Sequence, residues 1–336
     1  MSGDGMSNLR EMGWRGPILA LLSLMLIPVT PLRVITPIEQ SIVLLVPAIA
    51  ACAIAAWWQG GRGALALLWI ALAAWTLSRP VTGGTAGFDA LARGWSLVVA
   101  AAFGAVACFG RTRTFLGRAG IAVTAALVVG LTVIVATGRG GLGDTVYAEL
   151  AQRSDRTVDA LETTMAASPR WAELVARDTT PAAFRNRVEE SLESMARGAV
   201  VVFPALLALE TLLVLALAWT LFHRLSRVRV GAPLAPLREF RFNDQLVWGV
   251  LLGVTALVLP TLAGFRAVGW NLLVFFGALY AARGLGVMAW FLTPGRLALA
   301  VVVLLLLMFP LLGVLTFGIG IGDTWIDWRN RTRAST

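Results

Sequence analysis

The sequence has no lysine: all 28 of its basic residues are arginine. It has one histidine, two cysteines and two tyrosines in 336 residues, and only 14% of the chain is charged. Each scarcity removes a class of chemistry. The single histidine, His223, sits beside Arg224 at the end of an apolar run and reads as an interfacial residue, which leaves no material for histidine-based metal or triad motifs. Cys52 and Cys108 lie inside apolar stretches with no C-x-x-C and no Cys/His spacing, so they read as small packing residues and not as a disulfide or metal pair. No G-x-S-x-G, H-E-x-x-H or clustered acidic pair occurs, so neither a catalytic motif nor a cofactor is expected. The glycine-rich "TGRGGLGDT" at 137–145 lacks the lysine and the strand-to-helix setting of a phosphate loop, and reads as a flexible exit from a helix.

What the chain has is apolar surface. Hydrophobic residues make up 58% of it and its mean hydropathy is +0.78, more than a soluble fold of this length can bury. The expected environment is therefore the lipid bilayer. The net charge of +9 sits on arginines placed mostly in short loops between apolar runs, where anionic headgroups meet them, and this argues against nucleic acid as the partner.

A membrane-spanning helix needs about 20 mostly apolar residues. Nine runs qualify: 16–32, 40–58, 63–79, 94–110, 117–137, 198–222, 245–265, 268–292 and 297–321. Because the first is interrupted by Pro28 and Pro31 and the third is short, the expected fold is an all-α, polytopic transmembrane bundle of eight or nine spans. The first run follows Arg10 and Arg15 but lacks a small-residue cleavage site before "IPVTPLRVITP", so it reads as a retained helix. With the N-terminus in the cytoplasm, Arg10, Arg15, Arg62, Arg111, Arg113, Arg118, Arg224, Arg227, Arg229, Arg238, Arg241 and Arg296 fall inside, and only Arg33, Arg79, Arg93 and Arg266 outside. Nine spans would put the tail arginines 329, 331 and 333 outside; eight would bring them in.

Between the fifth and sixth runs lies one long polar insertion, 138–197. Val146, Leu150, Val158, Leu161 and Met165 recur at helical spacing, and after the start signal Thr180–Pro181 a second stripe follows at Phe184, Val188, Leu192 and Met195. The expectation is an extracytoplasmic helical hairpin whose two stripes cover each other, its second arm running past Gly198 into the sixth span. The chain then divides into N-terminal membrane helices at 1–137, the hairpin at 138–197 and C-terminal membrane helices at 198–336.

Polar residues inside apolar runs mark functional candidates, since a charge at the bilayer centre is costly and seeks a partner. Glu210 is near the middle of "VVFPALLALETLLVLALAWT", a run that also holds a kinking proline, Pro204. Asn271, Tyr280 and Arg283 lie in "AVGWNLLVFFGALYAARGLGVMAWFL", where Gly269, Gly277, Gly284 and Gly286 permit close helix approach. These four form a candidate intramembrane polar site, in which a Glu210–Arg283 ion pair would neutralise both charges. Gly249 and Gly253 form a G-x-x-x-G packing signal. The closing "GIGIGDTWIDWRNR" supplies Asp323, Asp327 and Arg329, with the two aspartates on one face if helical and Trp325 and Trp328 suited to an interfacial belt. It reads as a salt-bridged end or as a polar gate.

Three stretches, "FRFNDQLVWGVLLGVTALVLP", Asn271 with "ARGLGVMAWF", and "GIGIGDTWIDWRNR", resemble a family of predicted bacterial membrane proteins known as YybS-like, domain of unknown function 2232, over about residues 240–333. The resemblance implies a multi-helix bundle in the bacterial cytoplasmic membrane. Its helical layout is similar to that of substrate-binding subunits of vitamin-type uptake transporters. Two functions are expected: a transport-related protein built around Glu210, Asn271, Tyr280 and Arg283, or a non-catalytic scaffold of the cell envelope. In the second, the hairpin or the basic loop 223–243 holds a protein partner.

Overall fold

The computed structural model of the chain describes residues 38–79, 84–110, 114–137, 141–167, 180–226, 228–291 and 309–333. Among them no strand occurs. The helices are α1 (Ile38–Trp58), α2 (Gly63–Ser78), α3 (Ala86–Phe109), α4 (Phe115–Thr137), α5 (Leu142–Ala166), α6 (Thr180–Leu225), α7 (Val247–Val258), α8 (Arg266–Phe291), α9 (Phe309–Ile326) and α10 (Trp328–Arg333). Five of the segments are long and apolar enough to cross a membrane: Ser41–Trp58, Ala86–Phe109, Phe115–Val133, Asn186–Leu225 and Pro260–Phe291. Three shorter apolar helices accompany them at Gly63–Ser78, Asp244–Val258 and Gly313–Ile326. The expected first span, 16–32, lies outside the described residues, as does part of the last, 297–321.

The chain forms two compact units, Met1–Val200 with Thr211–Pro233, and Val201–Glu210 with Leu234–Thr336. In the first, α1 packs against α2 and α3, and α3 against α4. Ala48, Ile49, Ala51, Cys52, Ala53, Ala55 and Ala56 of α1 are all buried, because small side chains let neighbouring helices close in. Gly104 of α3 marks one such approach, where an added Cβ would lie 3.3 Å from that of Ala51. By contrast α2 exposes Leu65, Leu67, Leu68, Ile70 and Trp75, the surface composition of a lipid-facing helix.

The insertion departs from its expected stripe at one end. Val146, Leu150 and Val158 of α5 are buried, but Leu161 is exposed, because the covered face drifts to take in the polar Glu149 and Ser154. Glu149 is 1% exposed, accepts the Thr85 N–H at 2.6 Å at the start of α3 and pairs with Arg153 at 2.8 Å. A carboxylate at a helix N-terminus is stabilised by the unsatisfied N–H groups there, which accounts for its burial. On the second arm Leu192, Ala196 and Ala199 are the buried positions, and Tyr147 reaches Glu193 at 3.5 Å. The side chain of Phe184 lies outside the described residues. Gly198 does not interrupt α6, whose 46 residues form one helix, about 69 Å long at 1.5 Å per residue.

In the second unit the expected span 245–265 is not continuous. Pro260 lacks an N–H and drives the residue before it out of the α region, so α7 stops at Val258, Leu259 is extended at φ −76°, ψ 120°, and Pro260–Phe265 is a 3-10 turn. At 12 residues α7 is about 18 Å long, short of a hydrocarbon core of about 30 Å. Gly249 faces the Phe276 ring and Gly253 faces the Gly269 backbone, so α7 and α8 run antiparallel with glycines at both contacts. Contacts between α8 and α9 instead rise together along both, Gly277 with Phe317, Arg283 with Asp323 and Gly286 with Arg329, so these two run in the same direction.

Candidate functional site

Along α8 the run "YAARGLG" places Arg283 between a buried tyrosine and two glycines. Gly284 and Gly320 of α9 face each other, and a Cβ at either would drive into the other helix's backbone, at Thr316 and Tyr280 respectively. A Cβ at Gly286 would come within 2.5 Å of the Leu237 carbonyl. The glycines therefore set the distances at which Arg283 works, bringing α9 and the segment 237–246 against it.

Arg283 is 3% exposed, Asp323 0% and Arg329 2%. The Asp323 Oδ2 atom accepts from Arg283 Nε at 2.9 Å and from Arg329 Nη2 at 2.6 Å, while the Asp323 carbonyl accepts from Arg283 Nη2 at 3.2 Å. Arg283 Nη1 donates to Asp244 at 2.6 Å. Arg329 Nη1 donates to the carbonyls of Arg238 and Phe240 at 3.0 and 3.1 Å. Phe242 lies under the Arg283 guanidinium at 5.5 Å and meets the Tyr280 ring edge-to-face at 5.0 Å. At the exposed rim Arg241 donates to Asp327 at 2.7 Å and Asn330 donates to the same carboxylate at 2.5 Å.

Three arginines, 241, 283 and 329, thus meet three aspartates, 244, 323 and 327, and the formal charges cancel. A clamp of this composition fastens segment 237–246 and the chain after α9 to one end of α8. Asp327 makes the turn between α9 and α10 with φ 47°, the left-handed region, which a short polar side chain tolerates best among non-glycine residues. Its burial works to raise its pKa, but the bonds from Arg241 and Asn330 outweigh that and hold the carboxyl below its ordinary value.

The structure divides the sequence candidates differently from the sequence reading. Tyr280 and Arg283 join Asp323, Asp327 and Arg329 in one cluster. The pairing of Arg283 with Glu210 does not occur: its guanidinium goes to Asp323 and Asp244, which are nearer the helix end. The two tail aspartates do not serve a common partner either, because the helix ends between them and Asp327 turns to Arg241. Asn271 does something else. Its Oδ1 accepts the Ala205 N–H at 2.9 Å and its Nδ2 donates to the Val201 carbonyl at 2.7 Å and to Ala267 at 2.8 Å. Val201 and Ala205 are i and i+4 around Pro204, so the amide is inserted into the helical ladder next to the residue that breaks it. Glu210 is half-buried on α6.

Sequence reasoning missed Asp244 and Arg241 as site members, although both lie in the "FRFND" stretch that carried the family resemblance. It also missed Arg118, 1% exposed in the first unit, which donates to the Gly110 carbonyl at 3.2 Å and the Val230 carbonyl at 3.1 Å and lies 5.1 Å over Trp219. Gly231 lies close beside it, and a Cβ there would come 2.7 Å from Arg118 Nη1 and displace the guanidinium. No group of three or more metal-ligating side chains converges among the described residues.

An all-helical chain with several apolar helices and a charge-neutral polar cluster at the end of two of them is an integral membrane protein. The chain belongs to the family described as "Predicted membrane protein (DUF2232)", which matches residues 14–324. That match is wider than the expected 240–333, taking in the N-terminal helices and the insertion, and it stops before Asp327 and Arg329. No curated protein and no solved structure matches the chain.

Proposed function

We propose that the protein is a non-catalytic scaffold of the bacterial cytoplasmic membrane, with its polar insertion as an extracytoplasmic hairpin that holds a protein partner. The observation that carries this reading is the engagement of Asn271 and Arg283 by the chain itself. Both ends of the Asn271 amide serve the α6 backbone and each nitrogen of Arg283 serves Asp323 or Asp244, so both side chains are held by internal structure. The outer faces of the insertion helices supply charged, exposed positions such as Asp155, Asp159, Glu190 and Arg197 for a partner. Since segment 237–246 and the tail meet at the clamp, both belong to one side of the membrane. By its arginines that side is the cytoplasm, which disfavours the nine-span count.

Complementation of a deletion strain by Glu210→Gln, with membrane level measured in parallel, tests the reading against transport. Wild-type level with wild-type phenotype supports the scaffold. Wild-type level with loss of phenotype means that the carboxylate handles a proton or cation, and the transport reading replaces it. Removal of 142–195 should abolish the phenotype while the membrane helices still fold.

A further inference from the structure

We propose that the cleft between the C-terminal end of α1, the start of α2 and the C-terminal end of α6 binds an anionic phospholipid, with the phosphate on Arg62 and an acyl chain along the α1 wall. The cleft has a volume of about 250 Å³ and belongs wholly to the first unit. Its inner wall is apolar, formed by Ile49, Ala53 and Ala56 of α1 with Trp69 of α2 and Phe222 of α6. Ile49 to Ala56 spans seven residues, about 10 Å at helical rise, so the wall runs along α1 by a substantial part of one leaflet.

The mouth is cationic. Arg62 is the one charged residue in the lining, is exposed, and stands at the N-cap of α2 without a capping bond from its side chain. It has no carboxylate partner among the described residues, unlike Arg93, Arg153, Arg241, Arg283 and Arg329. A guanidinium fork suits a phosphate diester through two parallel N–H bonds. Arg62 closes the turn that follows α1. The turn itself is fixed: Gly60 takes φ +92°, and a Cβ at Gly61 would lie 2.8 Å from the Ala56 carbonyl. A free phosphate would gain nothing from the apolar wall, and a zwitterionic lipid brings its own cation beside Arg62, which offsets the attraction of its phosphate. An anionic lipid uses both, which selects it among the occupants.

The test is native mass spectrometry of the full-length protein in micelles containing equimolar dioleoyl-phosphatidylglycerol and dioleoyl-phosphatidylcholine. Phosphatidylglycerol should be retained several-fold over phosphatidylcholine. Arg62→Ala should bring the two to parity, and Leu65→Trp, which narrows the cleft from an exposed position of its lining, should lower retention of both with an unchanged melting temperature. Arg62 makes no bond that folding depends on, so its variant should be stable; Arg62→Lys, retaining the charge, should recover part of the preference. Preference for phosphatidylglycerol unaltered by both Arg62→Ala and Leu65→Trp would overturn the proposal. So would equal retention of the two lipids by the wild type, or inorganic phosphate binding without lipid retention.

Discussion

Arg118 in the first unit and Arg283 in the second are almost equally buried, at 1% and 3% exposure, and are held in different ways. Arg118 donates to main-chain carbonyls, one of them Gly110 at the C-cap of α3, where the unsatisfied carbonyls of the last turn carry partial negative charge. Arg283 lies about two turns inside the C-terminal end of α8, where the backbone carbonyls are already bonded within the helix, and is met by the carboxylates of Asp323 and Asp244. An arginine placed against a helix end can draw on the backbone. One placed in mid-helix needs acidic side chains from other elements, and the chain must be folded so that those elements arrive.

The largest effect should come from removing the shared acceptor. Asp323→Ala leaves Arg283 and Arg329 buried and facing each other, and breaking a buried pair in this way costs about 3–5 kcal/mol. The loss should appear as a steep fall in thermal stability in detergent, with no compensation from Arg283→Ala alone. A change below about 1 kcal/mol would mean that solvent or lipid headgroups already screen the clamp, as at exposed pairs.

Arg118→Met should cost less. It removes the charge together with the need to solvate it, and leaves carbonyls that lose one bond each, about 1–3 kcal/mol in sum. If Arg118→Met proves more damaging than Asp323→Ala in the same thermal assay, the distinction between backbone-held and carboxylate-held arginines fails for this protein.

Asn271→Ala should cost about 1–3 kcal/mol by orphaning the Ala205 N–H and the Val201 carbonyl. The same change made on Pro204→Ala should cost less, because an intact ladder satisfies those groups itself. A double-mutant cycle on the two positions measures the coupling, and strict additivity would show that the amide and the proline act independently.

The smallest effect belongs to the exposed rim. The carboxyl of Asp327 is held below its ordinary value in the folded protein, so its contribution to stability is present above the unfolded-state pKa, near 3.9, and is lost as pH falls through the folded value. Because Asp327 is 41% exposed, Asp327→Asn should cost under about 1 kcal/mol at neutral pH and flatten the dependence of melting temperature on pH below 4.

Much of this was legible in the residues. The all-α membrane class follows from apolar runs too long and too numerous for a soluble core, and the continuity of α6 from its capping threonine and the absence of a proline between Pro181 and Pro204. Gly249, Gly253, Gly269, Gly284 and Gly286 were readable as close approaches, and each meets a neighbour's backbone or ring. The expected span 245–265 was the readable one that failed, since hydropathy continues through Pro260 while the backbone cannot. The partners of the polar residues were not readable. Asp244 and Arg283 are 39 positions apart and Arg329 and Arg238 are 91, separations at which one sequence carries no geometric constraint.

Composition and hydropathy by themselves determined that this chain belongs in lipid and is helical, because every backbone polar group in a bilayer must be satisfied within its own element. Tertiary structure alone decided that Arg283 and Arg329 share Asp323 and that Asn271 mends the ladder beside Pro204. Those pairings depend on the rotation and direction of neighbouring helices, which the packing of glycines sets and no local pattern records.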